Sequence, residues 1–157
     1  MIRKRLALLI LPAIVFLIVL VIKEREVIES YEGQAVIRHV TTSEKLIALT
    51  FDDGPDPLYT ARILAVLDKY NARATFFVLG LNVRQYPHLV RQEIAAGHEI
   101  GLHGYRHVLL TGQPLYATLR DLKRSEELIV KATGYRPVYF RPPFGFYNAA
   151  LFKATVS

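Results

Sequence analysis

Leu46-Ile47-Ala48-Leu49-Thr50-Phe51-Asp52-Asp53-Gly54-Pro55-Asp56 decides how the rest of the chain is read. The apolar run Leu46 to Leu49 predicts a buried strand, and two adjacent carboxylates come after it, before a Gly-Pro turn. Neighbouring residues of a strand point to opposite faces. Two Asp in the middle of a strand would therefore be separated, whereas at its C-terminal end, where the chain turns, both can face one cleft. That end is where α/β folds keep their chemistry. Adjacent carboxylates repel, so the pair calls for a cation, a metal or a shared proton. The plainer reading is a turn, since Asp, Gly and Pro are the common turn formers.

Outward from that stretch, strands and helices alternate. Tyr59 to Tyr70 places Tyr59, Ile63, Leu64, Val66, Leu67 and Tyr70 at helical spacing. Ala74 to Leu79 reads as a strand ended by Gly80. Pro87 suits a helix first turn, with Gly97 as the residue past its end. Glu99 to Leu102 reads as a short strand. Pro114 to Thr133 reads as a helix with an apolar line through Leu115, Leu119, Leu122 and Ile129, closed by Gly134. Tyr139-Phe140-Arg141 is a last short strand, stopped by Pro142-Pro143. This order predicts an α/β fold with a parallel sheet and right-handed crossovers.

The chain has 157 residues, 52% of them hydrophobic, and a formal net charge of +6. That length allows one domain with a real core. Three of the positive charges are Arg3, Lys4 and Arg5, so the remainder is only mildly basic. No basic stripe with interleaved aromatics is present, which argues against a nucleic-acid partner. There is no cysteine, hence no disulfide and no thiolate ligand or nucleophile. Leu6 to Ile22 carries no charge and is interrupted only by Pro12. It is at the short end for a membrane span and long for the apolar part of a signal peptide. Small residues for cleavage are missing before Lys23, so residues 1–22 read as an uncleaved membrane anchor. The basic cluster places the remainder of the chain outside the cytoplasmic membrane. Residues 23–43 read as a stalk, with Gln34 to Val40 as a short edge strand, and residues 44–157 as the folded domain.

Two further clusters each lie just past a strand. His103-Gly104-Tyr105-Arg106-His107 carries two imidazoles four apart, which on a helical turn share one side and can reach one ion. With a strand-end Asp they make three ligands, a set that leaves a coordination position open, as catalytic zinc does. Phe140-Arg141-Pro142-Pro143-Phe144-Gly145 is a rigid bracket, because Pro-Pro fixes the backbone and lacks N–H donors. It can set Arg141 against a carboxylate. Read alone, it is a Pro-rich loop with a surface charge.

Together, Thr50-Phe51-Asp52-Asp53-Gly54-Pro55, the His103/His107 pair and Arg141-Pro142-Pro143-Phe144-Gly145 resemble the first three motifs of the NodB-homology polysaccharide deacetylases, carbohydrate esterase family four. Ala74 to Val78 and Ala96 to Gly101 are similar to that family as well. The likeness runs from about Glu44 to Phe146. It implies a distorted (β/α) barrel, of which residues 44–157 form an N-terminal portion. It implies a metal-dependent hydrolase that removes acetyl groups from a polysaccharide such as peptidoglycan or chitin oligomers. Asp53, His103 and His107 would bind the divalent metal, zinc before cobalt, nickel or manganese. Asp52 would be the general base, Arg141 would hold it ionised and oriented, and the Phe144 backbone N–H would help stabilise the oxyanion.

Two departures stand out. Relatives carry Ser or Thr where this chain has Gly104, which predicts looser support for the metal and an affinity lower by about 10–100-fold. Family domains also continue through an Asp-and-Trp motif and a Leu-x-His motif whose His is the general acid. No His comes after His107 here, and His39, His88 and His98 match no motif. The chain therefore reads as a C-terminally truncated member. The alternative is an inactive or carbohydrate-binding remnant. A metalloprotease is disfavoured, because no His-Glu-x-x-His is present.

Overall fold

The computed structural model describes residues 12–26 and 36–156. They fall into two compact units, one spanning Thr42–Tyr147 and one joining the N-terminal segment to Asn148–Ser157.

In the larger unit, strands β1 (Thr50–Gly54), β2 (Thr75–Val78) and β3 (Glu99–Leu102) form a parallel sheet in the order β1-β2-β3. Phe140 extends it by a single parallel bridge to Leu102, where a strand was expected. The crossovers are α2 (Thr60–Lys69) and then the pair α3 (Gly80–Gln85) and α4 (Pro87–Ala95). Helix α5 (Leu115–Thr133) comes after β3 and ends on Gly134, whose φ of 74° is the left-handed conformation that favours glycine there. Pro87 opens α4, and Gly97 lies just past its last turn at φ 78°. The core gathers Leu67, Phe76, Val78, Val83, Val90, Ile100 and Ile129 between sheet and helices.

Three sequence expectations change. The buried strand over Leu46 to Leu49 is absent: Leu46 is 68% and Ile47 85% exposed, and β1 begins at Thr50. The reason is the partner's start. Thr75 is the first residue of β2; it pairs with Thr50 and its N–H reaches the Leu49 carbonyl at 3.0 Å, so Leu46 to Ala48 have no ladder beside them. Both Asp consequently lie inside β1. Second, α3 occupies a stretch between Gly80 and Pro87 for which the sequence predicts no element. Third, the buried face of α5 runs through Thr118, Leu122, Ser125 and Ile129, while Leu115 is exposed. Two small polar residues thus sit on the face where an apolar line is predicted.

The smaller unit contains a helix over 12–26, called α1, and α6 (Ala149–Val156). Asn148 caps α6 by accepting the Leu151 N–H at 2.9 Å. The Ala149 N–H donates to the Glu24 carboxylate at 3.2 Å. Among the described residues no helix is long and apolar enough to cross a membrane. The expected anchor is helical from residue 12 onward, and its first part lies outside the described residues. Residues 36–40 form no strand, against the expectation for Gln34 to Val40, whose first two residues are likewise outside the description.

Glu93 is fully buried on α4 with neither carboxylate oxygen hydrogen-bonded among the described residues. Burial pushes its carboxyl from 4.5 up to about 8. A folded-state value above the unfolded one favours the fold below the unfolded value, and that contribution is lost as pH rises through the folded value. The contribution of Glu93 to stability should therefore fall as pH rises between about 4.5 and 8. Glu93→Gln, which cannot ionise, should flatten this slope in thermal melts taken across that range. An unchanged slope in the variant would contradict the assignment.

Candidate metal and catalytic site

The geometry of the site begins with a slip in the β1–β2 register. Thr50, Phe51 and Asp52 face Thr75, Phe76 and Phe77, and then Gly54 faces Val78. Asp53 is the extra residue, a one-residue bulge with φ at 69°. Bulges re-aim side chains, and Asp tolerates the left-handed region better than most residues. Gly54-Pro55, a cis peptide, comes at once after it.

Asp52 meets Arg141. The guanidinium donates from Nη1 to Asp52 Oδ1 at 2.6 Å and to Thr50 Oγ1 at 3.0 Å. Its flat face lies 4.0 Å from the centroid of Phe77, which pairs with Asp52 across the ladder. The bracket reading of Arg141 thus has a structural counterpart: the backbone of Arg141 is tied to β3 through its N–H and the Leu102 carbonyl, 2.9 Å apart.

Asp53 meets the two histidines. Its Oδ1 lies 3.6 Å from His103 Nε2 and 3.7 Å from His107 Nε2. His103 is buried, while His107 and Asp53 are open to solvent. His103 Nδ1 is 2.8 Å from the Arg141 carbonyl. A carbonyl only accepts, so Nδ1 carries the hydrogen, and in the neutral imidazole Nε2, the nitrogen nearer Asp53, is then the one with the lone pair. The two rings are 5.4 Å apart, on a loop rather than the helical turn expected from their spacing. Gly104, at φ 95°, makes the bend between them.

One carboxylate oxygen and two imidazole nitrogens, all within 4.8 Å of one another, are a donor set that suits a divalent transition metal. Tetrahedral zinc with bonds of about 2.0–2.1 Å separates its donors by about 3.3 Å. The observed carboxylate-to-imidazole spacings are a few tenths of an ångström wider and all three donors lie within 4.8 Å, so the residues fit such an ion once they close in on it.

Phe144 stands at the rim, its ring edge-on to His107 with centroids 4.3 Å apart. It occupies the turn Pro143–Gly145 at φ 60°. Asp53 and Phe144 are thus two non-glycine residues in the left-handed region at one site. Such positions cost about 1–3 kcal/mol each and persist where their surroundings fix them.

Sequence reasoning missed the residues that hold this arrangement from behind. The Gly104 carbonyl accepts from the Gly80 N–H at 3.0 Å and from the Ser125 hydroxyl at 3.2 Å. The Tyr105 carbonyl accepts from the Leu81 N–H at 3.0 Å. The Asn82 side-chain amide donates to the Asp53 carbonyl at 2.7 Å. The loop carrying the histidines is therefore gripped through its backbone, whatever hydroxyl Gly104 lacks. A usable signal was Gly80 itself: a Cβ there would lie 2.3 Å from Ser125 Oγ, so only glycine lets α3 approach α5. His98, by contrast, is a core residue against Phe76, and burial, then the nearby Arg73 charge, lowers its pKa. No role at the site attaches to it.

Known proteins agree with this geometry. The family model described as polysaccharide deacetylase matches residues 39–157. A peptidoglycan-N-acetylglucosamine deacetylase of Bacillus cereus is 44% identical over 117 residues, covering 73% of this chain and 53% of that protein. The solved structure of the peptidoglycan deacetylase PdaC from Bacillus subtilis superposes with a TM-score of 0.70 at 42% identity, over 74% of this chain and 57% of that one. An acetyl xylan esterase of family four from Clostridium thermocellum, solved with a cobalt ion, gives 0.67 at 39% identity, over 69% and 54%. The chain spans about half the length of these relatives. On the bulged Asp pair, the paired histidines and the Arg141 bracket, and on this match, the chain belongs to the polysaccharide deacetylase family.

Proposed function

We propose that this chain carries the metal centre and the general base of a hydrolase that removes acetyl groups from N-acetylglucosamine-type polysaccharide, with peptidoglycan as the favoured substrate. The observation that carries the reading is the division of labour between neighbours. Asp53 lies with His103 and His107, and Asp52 lies with Arg141. The peptidoglycan preference is supported by the names of the Bacillus relatives.

A bound zinc or similar cation would acidify a water and polarise the acetyl carbonyl. Asp53 and the two Nε2 atoms would hold it, and the open side at Asp53 admits water and sugar. Asp52 Oδ1 is kept in place by Arg141, and its carboxylate takes the proton of the attacking water. The water oxygen bonds to the acetyl carbon; as the C–N bond breaks, the proton taken up by Asp52 passes to the leaving nitrogen, and acetic acid and the amine leave. The Phe144 turn packs on His107, and its backbone N–H would be the donor for the carbonyl oxygen on which negative charge develops. The three-stranded sheet is the opening arc of the distorted (β/α) barrel.

The purified chain should bind one equivalent of zinc, and Asp53→Ala or His103→Ala should abolish stoichiometric binding in chelator competition. Absence of metal binding by the unsubstituted chain would overturn the reading. In a preparation that turns over acetylated chitooligosaccharide, Asp52→Asn should lower kcat/KM by about 10²–10⁴-fold with zinc content unchanged. Loss of zinc in that variant would move Asp52 from base to ligand.

The anchor belongs to the same proposal. Arg3-Lys4-Arg5 ahead of the uncharged run 6–22 supports a single span that keeps the domain outside the cytoplasmic membrane. The expressed chain should sediment with membranes and resist extraction at high salt and alkaline pH. Release by alkali would exclude the span.

A further inference from the structure

We infer that Asn82 is a positioning residue for the metal centre, acting on Asp53 through its main chain. The inference rests on Asp53 being a metal ligand. Asp53 is unpaired in the β1–β2 ladder and holds a positive φ without being glycine. The ladder skips Asp53 itself and resumes at Gly54, which pairs with Val78. The fixing contact comes from Asn82 on α3, whose Nδ2–H donates to the Asp53 carbonyl at 2.7 Å.

The contacts around it show that α3 serves all three ligands from one short segment. The Gly80 and Leu81 N–H groups hold the carbonyls of Gly104 and Tyr105, between His103 and His107. The Leu79 N–H holds the Gly54 carbonyl at 2.9 Å, one residue beyond Asp53. Within this set Asn82 is the only side chain, and the one group whose removal leaves the α3 backbone intact. Its amide holds the carbonyl end of the peptide whose N–H end belongs to the paired Gly54, and together they set where the Asp53 carboxylate stands against the two Nε2 atoms. Without it the bulge can relax toward a less strained φ, which swings the ligand away from the pair.

The test is the affinity of the whole chain for zinc, read by chelator competition, with the cobalt(II) visible spectrum as a second readout of ligand geometry. Asn82→Ala keeps a strong helix former in α3. It should weaken zinc binding by about 10–100-fold and change the cobalt band, while the metal-free protein melts close to the unsubstituted chain. A role in folding alone would lower the metal-free melting temperature and leave affinity and spectrum unmoved; that outcome overturns the inference. Should the alanine protein not fold, Asn82→Ser, whose arm is too short to reach the carbonyl, carries the same expectation. Asp53→Ala separates the two readings. If the unsubstituted chain binds zinc and Asp53→Ala does not, unaltered binding by Asn82→Ala defeats only the positioning role. If Asp53→Ala binds as well as the unsubstituted chain, the metal reading and this inference fall together.

Discussion

The site depends on a slip of one residue in a parallel ladder. A regular strand would send Asp52 and Asp53 to opposite faces of the sheet. Between Asp52 and Gly54 the pairing with β2 skips Asp53, and the chain passes through a left-handed residue there. That irregularity lets two consecutive carboxylates serve one cleft while binding different partners. It is also costly, since a non-glycine residue at positive φ sits above the ordinary backbone minima. The compensation lies on α3 and at the end of β2, which together supply donors to the carbonyls of Asp53 and Gly54. Local strain and its remedy are thus neighbours in space, although Asn82 lies well downstream in the chain.

Arg141 joins the two halves of the arrangement. Its side chain fixes Asp52, and its carbonyl fixes the tautomer of His103. The base and a ligand are therefore referenced to one residue, and a shift of its backbone moves both. What keeps that residue still is a row across the sheet. Asp52, Phe77 and Gly101 are ladder partners in β1, β2 and β3. A Cβ on Gly101 would lie 2.6 Å from the Phe77 ring, so glycine in β3 is what allows the ring to lie across it. The ring in turn gives the guanidinium a face to rest on. An apparently weak strand residue is thereby part of how the base is aimed.

The sequence was legible where the chemistry uses familiar residue types at short spacing. Asp52-Asp53 and His103/His107 are read as candidate site residues from their own neighbourhoods, Arg141 only through its likeness to the family's third motif, and the parallel sheet from the alternation of apolar runs with Gly and Pro stops. It was illegible where backbone groups do the holding. Gly80 reads as a strand terminator, yet it starts a helix and lets Ser125 come within reach of the Gly104 carbonyl. Ser125 and Thr118 interrupt an apolar stripe and so fall out of a pattern search, although both are buried. The strand predicted at Leu46 to Leu49 failed for a different reason. Apolar character says that a segment would gain by burial, whereas its state here is set by where β2 begins.

Gly104 shows how the two kinds of information combine. Glycine at this position gives the loop no side-chain donor. Its φ of 95° is one that residues with a Cβ rarely adopt, and a Cβ would also press to 3.2 Å on the Arg106 carbonyl. A Ser at this position would have to alter the bend that brings His107 back toward His103. The loop instead offers its carbonyl, and α3 and α5 each supply a donor to it. Support for the loop thus comes from main-chain and hydroxyl groups outside it. Metal affinity here should therefore depend on the packing of Gly80 against Ser125 more than on the chemistry of residue 104.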